Sequence, residues 1–255
     1  MSIGAYNAGF SDFYDTFSDD CDCEKWSQYL LLLLKERGNY QSGLDMACGT
    51  GRITRLLARA GYAMTGADIS EHMLDAAVKN AGSSGARPVF VKGDLLSFRG
   101  HRAFDFVTVV NDGINYLPQE KLARTFKNLY ANLVAGGALL LDISTEAKLD
   151  RLIAGQTYFD DRDEATLLWH NERVPGGVRM RLVLFERGTG GAYVRHDEEH
   201  IQYAHSVKVV SGALELAGFA DITAYDCFTK DPPHTGSQRV QFCAVKPSKS
   251  GGRKV

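Results

Sequence analysis

Two glycines one residue apart, Gly49 and Gly51, lie between an apolar run that ends near Ala47 and a helical pattern that begins at Ile53. Glycine carries no Cβ, so the main chain of such a turn can approach a ligand closely. The N-terminus of the following helix leaves free N–H groups that can face the same ligand. This order of elements predicts a ligand-binding turn, although the glycines alone also fit an ordinary turn between a strand and a helix.

Acidic residues follow two further predicted strands at positions where a nucleoside would need them. Asp68 stands at the end of the second strand, about 20 residues after the glycines, where a carboxylate can accept from both ribose hydroxyls. Asp94, after the third strand, can accept from the exocyclic amine of an adenine, and Leu95 can lie behind the ring. Ile69 and Met73 can supply the opposite apolar face. A helix cap and a loop residue are the plainer interpretations of Asp68 and Asp94.

These residues belong to an alternation of strands and helices that predicts an α/β fold. Five apolar strands are separated by helical patterns, the strands lying at 43–47, 62–69, 88–92, 104–110 and 138–143. This alternation is typical of a parallel sheet covered on both faces. In open sheets of this class the ligand lies outside the carboxyl ends of the strands, at the switch point between strands one and four. Asn111, which follows strand four, is therefore expected at the ligand.

Two ligand classes use a glycine turn of this kind. A dinucleotide-binding turn has the pattern G-x-G-x-x-G, in which the third glycine packs the helix on the strand. Thr54 holds that third position here, which weakens the dinucleotide interpretation. The catalytic lysine or tyrosine pair expected of a nicotinamide-dependent oxidoreductase is not recognisable either. A nicotinamide enzyme is therefore the less favoured alternative.

The stretch from Asp45 to Gly51, D-x-A-C-G-T-G, resembles motif I of the class I S-adenosylmethionine-dependent methyltransferases, and segments 66–70, 93–95, 104–107 and 134–138 resemble further motifs of that family. The resemblance spans roughly Tyr6 to Val245. It implies a Rossmann-like sheet of seven strands in the order 3-2-1-4-5-7-6, with the last strand antiparallel. It also implies S-adenosylmethionine as the cofactor, whose methionine carboxylate meets the helix N-terminus. The implied cofactor-binding residues are Tyr14, Trp26, Asp45, Ala47, Gly49, Gly51, Arg52, Asp68, Ile69, Met73, Gly93, Asp94, Leu95 and Asn111.

A closer resemblance links the chain to small-molecule N-methyltransferases. Phe13-Tyr14-Asp15, Lys25-Trp26 and a strand-rich insertion before the last helix are similar to the deoxyamino-sugar dimethyltransferases, the glycine-methyltransferase-like enzymes and a bacterial YqeM-like group. The resemblance implies that Tyr14 and Trp26 lie over the methionine end of the cofactor. It favours a nitrogen acceptor over an oxygen acceptor. The position of Asn111 after strand four, at the switch point, predicts that it lies beside the methyl-bearing end, although the polar run there also fits a plain loop. A fixed catalytic base is not recognisable.

The insertion begins near residue 155 and is predicted to be an antiparallel β-sheet, because strand-like runs are joined by glycine-rich turns without a helix between them. On the last run, His196, Glu198, His200 and Gln202 share one face, and Tyr203 lies on the other. One face is expected to look into the substrate pocket, whereas a solvated strand face is the plainer interpretation. His200, Tyr203 and Asn111 are the candidate catalytic residues.

These patterns predict four parts of the chain. Residues 1–38 form an N-terminal arm and a helix that cover the cofactor, and residues 39–154 and 205–247 form the methyltransferase core. Residues 155–204 form the insertion, which acts as a substrate lid, and residues 248–255 form a disordered tail. The first residues, up to about 22, lack a long apolar period and are expected to lie as an arm on the body of the protein.

Composition bounds the remaining functions. The chain has 255 residues and a net charge of −2, with acids and bases interspersed, so a nucleic-acid partner is not expected. Five cysteines at irregular spacing argue against a disulfide framework, and their spacing does not predict a metal site. Neither a signal peptide nor a membrane span is expected, so we predict a cytoplasmic monomer or homodimer acting on a small molecule. A non-catalytic S-adenosylmethionine-binding partner protein, or a methyltransferase of tRNA or protein, remains an alternative.

Overall fold

The structure is a computed structural model that describes residues 6–18, 21–82 and 87–248. Except for Ser248, the predicted tail lies outside the described residues. The strands form two sheets and are β1 Ser42–Met46, β2 Ala63–Asp68, β3 Val89–Lys92, β4 Phe104–Val109, β5 Leu133–Ser144, β6 Thr157–Asp161, β7 Ala165–Val174, β8 Gly177–Arg187, β9 Tyr193–Tyr203, β10 Ala220–Asp226 and β11 Arg239–Val245. The α-helices are α1 Ala8–Phe17, α2 Cys23–Lys35, α3 Arg52–Arg59, α4 Glu71–Gly82, α5 Leu122–Ala131, α6 Glu146–Lys148 and α7 Val207–Ala217.

The larger sheet has seven strands in the order β3-β2-β1-β4-β5-β11-β10, which confirms the predicted arrangement. β1 to β5 run parallel, whereas β11 is antiparallel to both β5 and β10. β1 pairs with β2 on one side and with β4 on the other, so the strand order reverses at β1. The carboxyl ends of β1, β2 and β4 therefore meet at one edge of the sheet, where ligands bind in folds of this class.

Helices cover both faces of the larger sheet. On one face α5 and α7 pack against it, with Phe126 fully buried among strand residues such as Val107. On the other face α2 and α3 bring Leu33 and Leu57 against Phe106. Full burial of a side chain of this size contributes about 1.5–3 kcal/mol. This two-sided core fixes the strands whose ends form the site.

The smaller sheet has the order β6-β7-β8-β9, is antiparallel throughout, and lies within the predicted insertion. We call it the flap. The sequence patterns predicted three strands here, and β6 was missed because this edge strand has four exposed residues out of five and no alternation of apolar and polar side chains. Leu167 and Leu184 on the inner face of the flap pack on Phe10 of α1.

Residues 6–18, which we call the arm, contain a helix that the sequence analysis did not predict. Asn7 caps α1 by accepting a hydrogen bond from the backbone N–H of Phe10. Phe10, Phe13, Tyr14 and Phe17 recur at helical spacing, and all four pack with the inner face of the flap. The interspersed acidic residues obscured this period in the sequence. The arm therefore lies between the flap and the larger sheet.

Two further elements have irregular ends. A 3₁₀ turn at Gln119–Lys121 precedes α5, which ends at Ala131. β5 starts at Leu133 rather than at residue 138, because the backbone of Gly136, with φ of 81°, lets the strand bend without ending. In the described part of the chain, no helix is long and apolar enough to cross a membrane.

Candidate functional site

The glycine turn between β1 and α3 forms a wall of a cleft at the carboxyl edge of the larger sheet. Ala47, Gly49 and Gly51 all have positive φ, at 55°, 54° and 71°. A Cβ built at Gly49 would meet no atom of the described chain within 4 Å, so this position faces open space. A Cβ at Gly51 would come within 2.6 Å of the ring of Phe90. Glycine thus keeps the cleft open at 49 and permits close packing at 51.

The cleft has a cavity volume of about 70 Å³. Six of the predicted cofactor-binding residues line it together, namely Tyr14, Asp45, Ala47, Gly49, Arg52 and Asn111. The described residues contain no group of three or more histidine, cysteine or acidic side chains arranged to hold a metal ion.

Asp45 lies beneath the turn and is 2% exposed. Its carboxylate accepts hydrogen bonds from Thr54 Oγ1 at 2.5 Å and from Thr108 Oγ1 at 2.7 Å. Burial raises the pKa of Asp45 to about 6, although both hydroxyls favour the charged form. Since Thr54 lies on α3 and Thr108 on β4, Asp45 joins the three elements that build the cleft wall. Thr54, which departs from the dinucleotide pattern, therefore has a structural role of its own.

Asp68 ends β2 and connects it to the glycine turn. Its Oδ2 accepts from the backbone N–H of Gly49 at 2.8 Å, and its Oδ1 accepts from that of Ser70 at 2.9 Å. Burial raises the pKa of Asp68, and these backbone bonds oppose that rise. A carboxylate has about four lone-pair positions, so two remain for the hydroxyls of a ribose. Of the two residues predicted to flank an adenine, Ile69 is 55% exposed and available, whereas Met73 is 1% exposed and does not offer an open face.

Asp68 and the loop after β3 lie at the same edge of the sheet, and neither is part of the cleft lining. The backbone N–H of Gly93 donates to the carbonyl oxygen of Asp68 at 2.8 Å, which places the ends of β2 and β3 side by side. Asp94 Oδ1 accepts from the backbone N–H of Leu96 at 2.8 Å, so one of its oxygens shapes the loop. Leu95 is half-buried and packs against the core. Asp94 and Leu95 stay predicted adenine contacts.

The arm closes one side of the cleft. Asp15 Oδ1 accepts from Thr50 Oγ1 of the glycine turn at 2.6 Å. Arg52 Nη1 donates to the carbonyl oxygen of Ser18 at 2.8 Å, and its Nη2 donates to that of Cys21 at 3.2 Å. These bonds hold the end of α1 and the start of α2 against the turn, and they place the ring of Tyr14 in the lining.

Trp26 does not line the cleft, contrary to the prediction that it lies over the cofactor. The side chain is 3% exposed and its ring centroid lies 4.7 Å from that of Phe228. It stands on the inner face of α2, and that face packs on the larger sheet. Cys23, one helical turn earlier, reaches the cleft instead. The sequence showed that α2 is amphipathic but not which of its residues faces the ligand.

The inner face of the flap brings His200 against the arm. His200 is 3% exposed, and its ring centroid lies 4.4 Å from that of Tyr6 and 5.8 Å from that of Tyr116. The hydroxyls of Tyr6 and Tyr116 are hydrogen-bonded at 2.8 Å. Tyr6 also contacts Tyr14 at a centroid distance of 5.4 Å, which connects this aromatic cluster to the cleft. Burial lowers the pKa of His200 to about 4, so the imidazole is neutral at pH 7.

Tyr203 lies on the opposite face of β9 from His200 because side chains alternate along a strand. Glu198, His200 and Gln202 are buried, whereas Asp197 and Glu199 on the other face are exposed. The structure therefore does not bring Tyr203 together with His200. The main-chain oxygen of Tyr203 contributes differently, by accepting from Asn115 Nδ2 at 2.8 Å and so holding the flap to the end of β4.

Sequence reasoning missed Tyr6, Thr50 and Glu198 as parts of the site. Glu198 Oε1 accepts from the backbone N–H of Asn7 at 2.5 Å and lies on the buried face of the flap with His200. Its position on that face was visible in the alternation of β9, but its contact with the arm was not. Thr50 belongs to the stretch that resembles motif I, but its contact with Asp15 and the role of Tyr6 depend on where α1 packs.

The residues present fit S-adenosylmethionine. The open space at Gly49 admits a ligand against the main chain, and Asp68 retains acceptor positions for ribose hydroxyls. Arg52 and the N-terminus of α3 supply positive charge near the turn, as a methionine carboxylate requires. Ile69 presents an exposed apolar surface beside Asp68. A nicotinamide dinucleotide fits less well, because Thr54 is bonded to Asp45 where that fingerprint has a glycine.

Comparisons with known proteins agree with this geometry. A family described as a methyltransferase domain matches residues 44–137. YqeM of Bacillus subtilis (strain 168), which carries the name of a methyltransferase, is 30% identical over 244 residues, covering 93% of this chain and 96% of that protein. The crystal structure of an S-adenosylmethionine-dependent methyltransferase from Clostridium acetobutylicum superposes with a TM-score of 0.84, at 28% identity over 94% of this chain and 98% of the other.

A second relative covers only part of the chain. Human glycine N-methyltransferase is 29% identical over 144 residues, which is 50% of this chain and 48% of that enzyme. The similarity to YqeM spans nearly the whole of both chains, and the fold, the strand order and the glycine turn all agree with it. The chain belongs to the class I S-adenosylmethionine-dependent methyltransferases and uses S-adenosylmethionine as its cofactor.

Proposed function

We propose that this enzyme methylates the amine nitrogen of a small molecule that binds between the arm and the inner face of the flap. The observation that carries the proposal is the state of His200. This imidazole is buried and neutral, and its Nε2 has no hydrogen-bond partner in the described parts of the chain. An unpaired buried nitrogen costs free energy. A substrate that donates an N–H group to this nitrogen would remove that cost.

Methyl transfer depends more on how the cofactor and the acceptor are positioned than on charged groups of the protein. S-adenosylmethionine, when bound, supplies an electrophilic methyl group on a sulfonium. Holding two reactants in a near-attack arrangement can remove about 7–11 kcal/mol of the barrier. Asn111 and Tyr14 share the cleft with the glycine turn, and Tyr14 touches Tyr6 of the aromatic cluster. These contacts make the cluster a fitting place for the acceptor beside the cleft.

An amine attacks only through its free lone pair, so it must be bound neutral. A buried imidazole that stays neutral at pH 7 can accept a hydrogen bond from the amine without repelling a developing cation. The rings of Tyr6 and Tyr116 flank His200 and can stabilise positive charge, each by about 0.5–2 kcal/mol. Burial raises the pKa of Glu198, whose Oε2 lies 3.6 Å from His200 Nε2, beyond hydrogen-bond distance.

The contacts that hold the arm in place favour a small methyl acceptor. Ser70 Oγ donates to the main-chain oxygen of Tyr6 at 2.8 Å, and the main-chain N–H of Asn7 donates to Glu198. The arm is thus tied to the larger sheet on one side and to the flap on the other. Both contacts would have to break to admit a folded macromolecule, so a metabolite is the better-supported acceptor. The similarity to glycine N-methyltransferase, over half of the chain, supports an amine of low mass.

The test is a transfer assay with isotopically labelled S-adenosylmethionine and a panel of amino acids, amino sugars and simple amines, together with the matching alcohols. We expect one or more amines to gain the mass of a labelled methyl group. His200→Asn should lower that transfer at least tenfold, whereas His170→Asn, on the exposed outer face of the same sheet, should leave it within twofold. Transfer to alcohols alone, or an unchanged rate in His200→Asn, would contradict the proposal.

A further inference from the structure

Two consecutive residues in the left-handed conformation end β4. Asn111 has φ of 62° and Asp112 has φ of 73°. This region is disfavoured for residues with a Cβ, and a conformation of this kind persists only where the surrounding structure enforces it. Asn111 lines the cleft, whereas Asp112 is not part of its lining. The structure must therefore hold the second residue in place to keep the first one facing the cleft.

The carboxylate of Asp112 is held by three side chains. Arg239 contacts both of its oxygens: Nη2 donates to Oδ2 at 2.9 Å, and Nη1 forms an ion pair with Oδ1 at 2.8 Å. Ser144 Oγ donates to Oδ1 at 2.5 Å, and Lys148 Nζ lies 3.8 Å from Oδ2. Burial alone would raise the pKa of Asp112, but Arg239 and Lys148 lower it to about 2. A two-point contact with a planar guanidinium fixes the orientation of the carboxylate as well as its distance.

Arg239 is itself fixed by its surroundings. It begins β11 opposite Ser144, and it also hydrogen-bonds to the carboxylate of Asp142 on β5. Its guanidinium lies 5.6 Å from the ring centroid of Trp26 on α2. Only 15% of its side chain is exposed. Asp112 is thus tied through Arg239 to β5, β11 and α2, and the turn cannot shift unless one of these elements moves.

We propose that Asp112 and Arg239 are positioning residues for the methyl donor. They lock the turn after β4 so that Asn111 faces the end of the cofactor that carries the methyl group. The inference rests on the proposed function and on the predicted position of Asn111 beside that end. Because Asp112 and Arg239 form an ion pair, their opposite charges largely cancel at the cofactor. We therefore expect both residues to act by holding the backbone of Asn111 and not by their charge.

The test compares the binding of S-adenosylmethionine with that of S-adenosylhomocysteine, which lacks the methyl group and its positive charge. Calorimetry on the full chain gives both dissociation constants, and their ratio measures contacts at the methyl-bearing end. We expect Asp112→Asn and Arg239→Met each to weaken S-adenosylmethionine binding at least fivefold relative to S-adenosylhomocysteine. Lys246→Met is the matched control, because this cation binds the main-chain oxygens of Tyr130 and Leu133 near the opposite end of β11. Its ratio should stay within twofold of the wild type.

The direction in which the ratio of the two dissociation constants changes distinguishes a positioning role from an effect of charge. Positioning predicts that both variants shift the ratio in the same direction. An effect of charge alone predicts opposite shifts, because Asp112→Asn removes a negative charge and Arg239→Met leaves one unpaired. Opposite shifts, or a ratio that stays within twofold in both variants, would overturn the proposal, whereas a wild type that binds neither ligand would overturn the proposed function itself.

Arg239→Lys is a milder variant that tests the same contact if Arg239→Met fails to fold. It keeps the positive charge but cannot contact both oxygens of Asp112 in one plane. We expect its ratio to move at least threefold in the same direction as that of Asp112→Asn, with a thermal midpoint close to that of the wild type. A wild-type ratio in folded Arg239→Lys would show that the two-point contact has no positioning role.

Discussion

The cofactor side and the flap side of the site differ in how their buried polar groups are hydrogen-bonded. On the cofactor side, Asp45 accepts from two threonines and Asp68 accepts from two backbone N–H groups, so each carboxylate oxygen has a hydrogen-bond partner within the chain. On the flap side, His200 Nε2 and Trp169 Nε1 are buried without a hydrogen-bond partner in the described chain. The Asp45 contacts join three elements of one core, whereas the flap meets that core through the arm and through Asn115.

This difference suggests two kinds of binding site. The cofactor wall is assembled before any ligand arrives, because its geometry is fixed by bonds within the larger sheet. The flap side retains polar groups that a ligand can pair, and unpaired buried groups of this kind carry a cost of about 1–3 kcal/mol each. We infer that the acceptor completes the flap side on binding. The predictions below test this contrast, starting with the largest expected effect.

Gly49→Ala is expected to weaken S-adenosylmethionine binding at least a hundredfold. The added methyl group would project into the open space of the cleft, where a Cβ meets no atom of the described chain. Gly155→Ala is the matched control, since Gly155 also has positive φ, at 80°, with open space around it and no place in the cleft. Both variants should lose about 1 kcal/mol of stability from backbone strain, but only Gly49→Ala should lose cofactor binding in calorimetry. Equal affinities in the two variants would contradict the assignment of the cleft.

Thr108→Val is expected to lower the free energy of unfolding by about 1–3 kcal/mol, because it leaves an oxygen of the buried Asp45 without its hydrogen bond. On the flap side the analogous change, His200→Phe, removes a nitrogen that has no partner to lose. We expect its stability at pH 7.5 to stay within about 1 kcal/mol of the wild type. Urea denaturation measures both values. A larger loss in His200→Phe than in Thr108→Val would reverse the contrast between the two sides.

The neutral state of His200 predicts a specific pH dependence of stability. Burial lowers the pKa of the folded protein's His200 from 6.5 to about 4, so below pH 6.5 the unfolded chain binds a proton that the folded chain does not. Stability from this group is therefore present above pH 6.5 and lost as the pH falls towards 4. We expect a loss of about 1–2 kcal/mol between pH 7.5 and 5.5. Because other groups titrate in this range, the measurement is the difference between wild type and His200→Phe, and a flat difference would argue against a buried neutral imidazole.

Asp15→Asn is expected to loosen the arm without unfolding the core. The change removes the charge that accepts from Thr50, a hydrogen bond of about 0.5–1.5 kcal/mol. Limited proteolysis of the arm should become a few times faster, while the thermal midpoint of the whole chain stays nearly unchanged. Addition of S-adenosylmethionine should slow cleavage in the wild type, because Tyr14 of the arm lines the cleft. A cleavage rate that is insensitive to the ligand would separate the arm from the cofactor site.

Local patterns predicted the larger sheet well, and six of the residues predicted to bind the cofactor meet in one cleft. The glycine turn, Asp68 and the alternation of strands and helices depend on neighbours close in sequence, and the strand order follows from the family resemblance. Contacts between distant segments were not predictable in this way. Arg239 and Asp112 are 127 residues apart, and Tyr6 and Tyr116 are 110 apart. Trp26 was misplaced for the same reason, since the choice of which residue on α2 faces the cleft depends on tertiary packing.

The central claim is that the wall formed by the glycine turn and Asp68 holds S-adenosylmethionine. The most direct measurement is calorimetric titration of the full chain and of Asp68→Ala with S-adenosylmethionine and with NAD. The account predicts saturable binding of S-adenosylmethionine at one site, an affinity at least tenfold weaker in Asp68→Ala, and no binding of NAD. Binding of NAD in place of S-adenosylmethionine, or equal affinities for S-adenosylmethionine in the wild type and in Asp68→Ala, would contradict it.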